Sequence, residues 1–215
     1  VRFVYDKDIN IFLLTYLVKR LGLTKKENMI AGGRIHNFKD FMNFPQEVFS
    51  RPHNRKHPFT HPELLHAQSV TGKVLEKDLM LHFPYHSFES VIDLLREAAI
   101  DPYVTNINIS FYRLAPKSKI IHTLVNAVKN GKQVTVMLEL RARFEEAANL
   151  LWKNELEEAG VTVLLGRPTW KVHAKICSIR RKEGNNIRHY GFVCTGNLNE
   201  QTAKVYGDHC LLTAH

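Results

Sequence analysis

The stretch VTNINISFYRLAPKSKIIHTLVNAVKNGKQVTVMLEL, residues 104–140, decides the fold of this chain. Its first ten residues, VTNINISFYR (104–113), alternate apolar and polar positions and predict a strand. SKIIHTLVNAVKNG (118–131) carries apolar residues at helical spacing and ends on Gly131, a helix with its stop signal. QVTVMLEL (133–140) reads as a buried strand. RFEEAANLLWKNELEEAG (143–160) then gives a second helix, ended by Gly160, and VTVLLG (161–166) a third strand. Strand, helix, strand, helix, strand is the order of an α/β domain with parallel neighbours. SFESVIDLLREAAI (87–100), with Ser87 as its N-cap, adds a helix before the first strand. Further on, HAKICSIRR and IRHYGFVCT flank KEGNN as a hairpin, NEQTAKVYG reads as a short helix, and DHCLLTAH as a last strand. The expected fold class is a layered α/β domain with a mixed, largely parallel sheet flanked by helices.

Residues 1–75 differ in texture and are read as a separate, partial helical and irregular segment; residues 76–215 form the α/β domain. Asp8 to Leu21 has helical spacing of Ile9, Phe12, Leu13, Leu17 and Leu21, and Gly22 can end that helix. A basic, His- and Pro-rich stretch follows. Its histidines His53, His57, His61 and His66 match no finger or H-E-x-x-H spacing, so an irregular surface is expected there, not a metal site. Gly32-Gly33-Arg34 reads as a turn whose backbone N–H groups could meet an anion.

The chain has 215 residues, 44% of them hydrophobic, so it can bury a core; its formal net charge is +9. A basic excess of that size favours anionic partners: nucleic acid, phosphate esters, polyphosphate or a membrane surface. Cys177, Cys194 and Cys210 show no C-x-x-C spacing. Cys177 and Cys194 fall in predicted strands and read as small core residues, and a reducing compartment without a disulfide framework or zinc site is expected. No apolar run reaches membrane-spanning length and no secretory signal is visible. The chain is read as a piece cut from a longer protein.

The chemistry collects around His173-Ala174-Lys175. On a strand, His173 and Lys175 would share one face, with Ala174 turned away. That sets an imidazole beside a fixed positive charge, the pairing that phosphoryl chemistry needs. TGNLN (195–199) adds amide donors at Asn197 and Asn199, and Gly196 allows close backbone approach. Parallel sheets bind ligands beyond the carboxyl ends of their strands. Arg113 ends one strand, and Arg141 and Arg143 follow another, so Arg113, Arg143, His173 and Lys175 are expected at one rim. Arginine forks hold phosphate oxygens bidentately. Neighbouring cations would also keep His173 neutral and able to attack.

HAK followed by TGNLNEQTAKVYGD resembles the first phospholipase-D-like domain of the polyphosphate kinase family. AGGRIHNFKDFMNFP, LHFPYHSFESVIDLLREAA, ISFYR, GKQVTVMLELRARFEE, ANLLW, LEEAGVTVLLG and KVHAKICSIRR resemble that family in the same order, across nearly the whole chain. The resemblance implies a phospholipase-D-like fold, with residues 1–75 as the end of a head domain and 76–215 as the first catalytic domain. It implies that His173 is the phosphorylated histidine, aided by Lys175, Asn197 and Asn199. Arg113 and Arg143 would hold the transferring phosphates together with magnesium, and Tyr206 would sit at the nucleotide. ATP and ADP, inorganic polyphosphate, a second catalytic domain and further copies of the protein are the partners implied, with no specific nucleic-acid target. The expected location is the cytoplasm, with peripheral association at the inner face of the membrane. The broader phospholipase D superfamily carries an Asp five residues after the lysine; Arg180 stands there. That weighs against a phosphodiesterase or nuclease. A non-catalytic polyanion-binding module is the other alternative.

Overall fold

Two compact units divide the chain, residues 1–55 and 56–215. The computed structural model describes residues 2–23, 28–33, 57–112, 118–139, 146–166 and 171–215, with backbone alone at 146–148. Arg34, His53, Arg113, Arg141, Arg143 and Trp170 lie outside the described residues. In the first unit, β1 (Phe3–Asp6) pairs in parallel with β2 (Met29–Gly32), and α1 (Ile11–Arg20) lies between them in sequence. The predicted helix starts three residues late because the Asn10 side chain caps it, accepting from Phe12 N at 2.9 Å. Gly22 ends it at φ 62°, a conformation that favours glycine.

The second unit holds α2 (Val70–Glu76), β3 (Leu79–Phe83), α3 (Glu89–Ile100), β4 (Val104–Phe111), α4 (Lys119–Lys129), β5 (Gln133–Leu138), α5 (Glu146–Glu158), β6 (Thr162–Leu165), β7 (Lys175–Glu183), β8 (Asn186–Cys194) and β9 (Asp208–Thr213). The seven strands β3 to β9 form one sheet in the order β3-β9-β8-β7-β4-β5-β6. Burial of the apolar faces of α3 and α4 drives its assembly: Val91, Ile92, Leu94, Leu95, Ile120, Ile121 and Leu124 are at most 0% exposed and join Leu81, Ile107, Val136 and Leu212 of the sheet in one core. Trp152 and Leu156 bring α5 into the same core.

The sheet is mixed, but its parallel share is smaller than the sequence suggested. Only β4–β5 and β5–β6 are parallel; the other four neighbour pairs run antiparallel. Only those two pairs are joined by a crossover helix, which parallel pairing requires; the Gly184 turn between β7 and β8 forces reversal. The boundary near residue 75 also moves. Leu64 and Val74 sit in the α/β core and Phe59 bridges to His86, so residues 57–75 fold with the second unit. The hydrophobic effect assigns them there; their irregular composition hid it. His61 is part of this packing: its ring nitrogen accepts from Glu63 N at 3.3 Å and caps the 3-10 turn Pro62–Leu64. Among the described residues no group of three His, Cys, Asp or Glu side chains is placed to hold a metal.

The reading of the cysteines needs one correction. Cys194 and Cys210 stand directly opposite in the β8–β9 register, with Cα atoms 4.1 Å apart, and are joined as a disulfide. That pairing arises from strand register, which spacing in the sequence does not reveal. Cys177 is free, and full burial pushes its thiol pKa well up. No described helix is long and apolar enough to cross a membrane.

On the other face of the sheet a row of apolar side chains runs across four strands. Met80 pairs with Leu211, Leu211 with Val193, and Val193 with Ile176. Met80, Val193 and Ile176 are each nearly half exposed.

Gly191 sets the distance between β7 and β8. A Cβ there would lie 2.8 Å from the Cys177 carbonyl carbon and 3.3 Å from Ser178 Cα. Gly191→Ala should therefore destabilise the fold by about 1–3 kcal/mol, read as a lower denaturation midpoint. A midpoint equal to wild type would mean the two strands part without strain.

Candidate active site

One rim of the sheet gathers the polar groups. The antiparallel pairing of β4 with β7 and β7 with β8 brings the end of β4, the start of β7 and the end of β8 side by side: Ile109 is opposite Cys177, and Lys175 is opposite Cys194. The parallel pairing of Phe111 with Leu138 adds the end of β5. Tyr112, Glu139, His173 and Thr195 all follow or precede these strand ends.

His173 and Lys175 come together, though by a route other than the expected one. The strand begins at Lys175, so His173 stands just outside it. Lys175 Nζ lies 3.1 Å from His173 Nε2. An ammonium has donors and no acceptor, so Nε2 accepts and the imidazole proton belongs on Nδ1. Nε2 therefore carries the lone pair. His173 is exposed, whereas Lys175 is only 3% exposed, so the imidazole faces outward from a buried cation.

Two long-range side-chain contacts extend the strand ladder in holding residues 172–176. Ser110 donates from Oγ to Ala174 O at 2.7 Å and accepts from Ile176 N at 3.1 Å. Glu139, 3% exposed, accepts from Val172 N through Oε2 at 2.9 Å. Tyr112 sets its ring edge against His173 at 5.0 Å between centroids, and Lys171 Nζ and Lys175 Nζ lie 5.1 and 5.4 Å from the Tyr112 centroid. None of Ser110, Tyr112, Glu139 and Lys171 was singled out as a site residue from the sequence. The one available signal was position: Ser110, Tyr112 and Glu139 fall at predicted strand ends, where parallel sheets collect ligands.

The two asparagines of TGNLN separate in role. Asn199 is 9% exposed and accepts through Oδ1 from Gln201 N at 2.9 Å and Thr202 N at 3.1 Å, just before the 3-10 turn Thr202–Lys204. Its amide nitrogen is what it can offer a ligand. Asn197 Oδ1 is buried with no hydrogen-bond partner among the described residues. Gly196 is required by contact: a Cβ there would lie 2.8 Å from Asp208 Cβ, while Asp208 Oδ1 accepts from Thr195 Oγ1 at 2.8 Å. Glu200 ties this loop to α4 by accepting from Lys119 N at 2.7 Å. Tyr206 is exposed just before β9. Arg180 lies in β7 and donates to Thr105 Oγ1 at 3.2 Å. The expected phosphate-holding pair, Arg113 and Arg143, lies outside the described residues.

Residues 69–215 match the family model described as polyphosphate kinase C-terminal domain 1. The chain belongs to the polyphosphate kinase family. It is 43% identical over 219 residues to the polyphosphate kinase of Salmonella typhimurium and 45% identical over 215 residues to that of Yersinia pestis. Each alignment covers 100% of this chain and 32% or 31% of the relative, so the chain spans about a third of the length of these family members. A crystal structure of polyphosphate kinase from Porphyromonas gingivalis superposes with a TM-score of 0.76 at 33% identity, over 100% of this chain and 34% of that one. The mixed α/β sheet is thus a polyphosphate kinase family fold.

Ser110 provides a direct test of how the rim is held. Ser110→Ala removes one donor and one acceptor at a buried position, which costs about 1–3 kcal/mol. The expected result is a lower denaturation midpoint; an unchanged midpoint would mean that the 172–176 segment is held without this hydroxyl.

Proposed function

We propose that this chain carries the phosphoryl-accepting half of a polyphosphate kinase, which transfers the γ-phosphate of ATP reversibly to inorganic polyphosphate through a phosphohistidine at His173. The observation that carries this reading is the exposed imidazole whose Nε2 is held 3.1 Å from the Lys175 ammonium. In the first step the Nε2 lone pair attacks the γ-phosphorus in line. The N–P bond forms, the bond from phosphorus to the β–γ bridging oxygen breaks, and ADP leaves with that electron pair. The Nδ1 proton can then be released, leaving a neutral phosphoimidazole. In the second step Nδ1 takes back a proton, the terminal oxygen of a polyphosphate chain attacks the same phosphorus, and the N–P bond breaks with its electron pair returning to Nε2 of the neutral imidazole. The transferring group has loose, metaphosphate-like character, so the protein's work is positioning and charge stabilisation.

Lys175 would turn from Nε2 to a phosphoryl oxygen as substrate enters, joined by amide donors from Asn197 and Asn199. Arg113, directly after Tyr112, and Arg143 are proposed to hold the phosphates, and Tyr206 the nucleotide. No carboxylate or histidine cluster for a metal is present among the described residues. Magnesium would accordingly arrive on the nucleotide's own phosphates, and no step here is routed through it. The net charge of +9 suits a long polyanion. Relatives about three times as long leave room for a head domain before residue 57 and a second catalytic domain, both proposed partners of this one, in an oligomer. A cytoplasmic location fits the substrates. The superfamily's phosphodiesterase chemistry is disfavoured by Arg180, which stands on β7 where a carboxylate would be needed.

His173→Ala should abolish acid-labile, base-stable label from γ-labelled ATP while leaving the thermal unfolding midpoint within a few degrees of wild type. Label that persists in the variant would remove His173 from the role.

A further inference from the structure

Asn149 lies in the first turn of α5, 1% exposed, and its side chain reaches the end of two strands at once. Its Nδ2 donates to Tyr112 O at 3.2 Å and to Glu139 O at 2.9 Å. These are the first residues beyond β4 and β5, just where Glu139 N donates to Phe111 O at 3.3 Å and the backbone pairing of the two strands stops. We propose that Asn149 is a positioning residue for phosphoryl transfer, locking the ends of β4 and β5 together so that His173 is presented at a fixed place; this rests on the reading of His173 given above.

The two carbonyls it holds belong to the two residues that hold the nucleophile's segment. Glu139 grips Val172 N with its carboxylate at 2.9 Å. Tyr112 sets its ring against the His173 imidazole at 5.0 Å and lies beneath the ammonium groups of Lys171 and Lys175. One carboxamide thus couples the backbone brace and the aromatic wall on either side of residues 171–175. A helix residue is well suited to this, because it reaches both strand ends from outside the sheet. Asn149 is buried and its amide bonds backbone carbonyls, so its loss should leave ATP binding intact. What it should alter is the fraction of time that Nε2 spends in line with the γ-phosphorus. A displacement near 1 Å can slow such a step by about 100-fold.

The test uses the full-length protein and rapid quenching of label from γ-labelled ATP. Asn149→Leu keeps the volume and deletes both donors. The expected result is a phosphorylation rate constant lower by about 10- to 100-fold, with half-saturating ATP within twofold of wild type and the end-point label per folded chain unchanged. An unchanged rate constant with a lower end point would mean that Asn149 serves only the stability of the core, and would overturn the proposal. So would a rise in half-saturating ATP without a change in rate constant. If Asn149→Leu does not fold, Asn149→Ser, with one short donor, takes its place in the same comparison. A wild type that takes no label would remove the His173 reading and this proposal together; a labelled wild type beside a variant of equal rate constant would remove the proposal alone.

Discussion

A hydrogen-bond ladder between two strands ends somewhere, and in this domain the β4–β7 ladder ends at the candidate site. Backbone pairing reaches Ile109 and Cys177, and there the Ser110 hydroxyl takes over, bonding Ala174 O and Ile176 N. A side chain continues what the backbone begins. The gain is geometric: β7 can start at Lys175 while the residues before it leave the plane of the sheet yet stay tethered. Glu139 supplies the second tether at Val172. Between the two lies His173, exposed beside the buried Lys175 ammonium. Such an arrangement is rigid where a nucleophile needs aim and open where substrate must enter.

The elements of the α/β core were legible because period and punctuation agree there. α3 and α4 are amphipathic and Gly131 closes α4 at φ 80°; the β4–β5–β6 strands are separated by helices long enough to cross over. Tertiary choices were less legible. Nothing local to the His- and Pro-rich stretch says that Leu64 and Val74 join the core. Nothing in the spacing of Cys194 and Cys210 says that strands β8 and β9 set them opposite one another. The antiparallel majority of the sheet follows from which strands become neighbours, and a sequence pattern records strands without their partners.

The candidate site divides along the same line. The nearness of His173 and Lys175 was legible from i, i+2 alternation, and the contact is made, although only Lys175 belongs to the strand. Two asparagines of one motif looked equivalent; the structure commits the Asn199 oxygen to a turn and leaves Asn197 out of it. Ser110, Glu139 and Asn149 could not be placed near His173 from the sequence because each bonds a segment at least 10 residues away in the chain, through bonds that exist only after the sheet has formed. A serine at a strand end and an asparagine in a helix are common enough that their types alone say nothing.

The apolar row formed by Met80, Leu211, Val193 and Ile176 bears on how this domain behaves in solution. Long-range repulsion from a net charge of +9 keeps copies apart at low ionic strength, while the row supplies a short-range attraction that salt does not weaken. Screening shrinks the reach of the charge to about 8 Å at physiological salt. The usual remedy for a basic protein, adding salt to suppress adventitious anion binding, therefore works against this domain's colloidal stability. Dilute buffer would serve it better, since it preserves the repulsion that holds the apolar faces out of range.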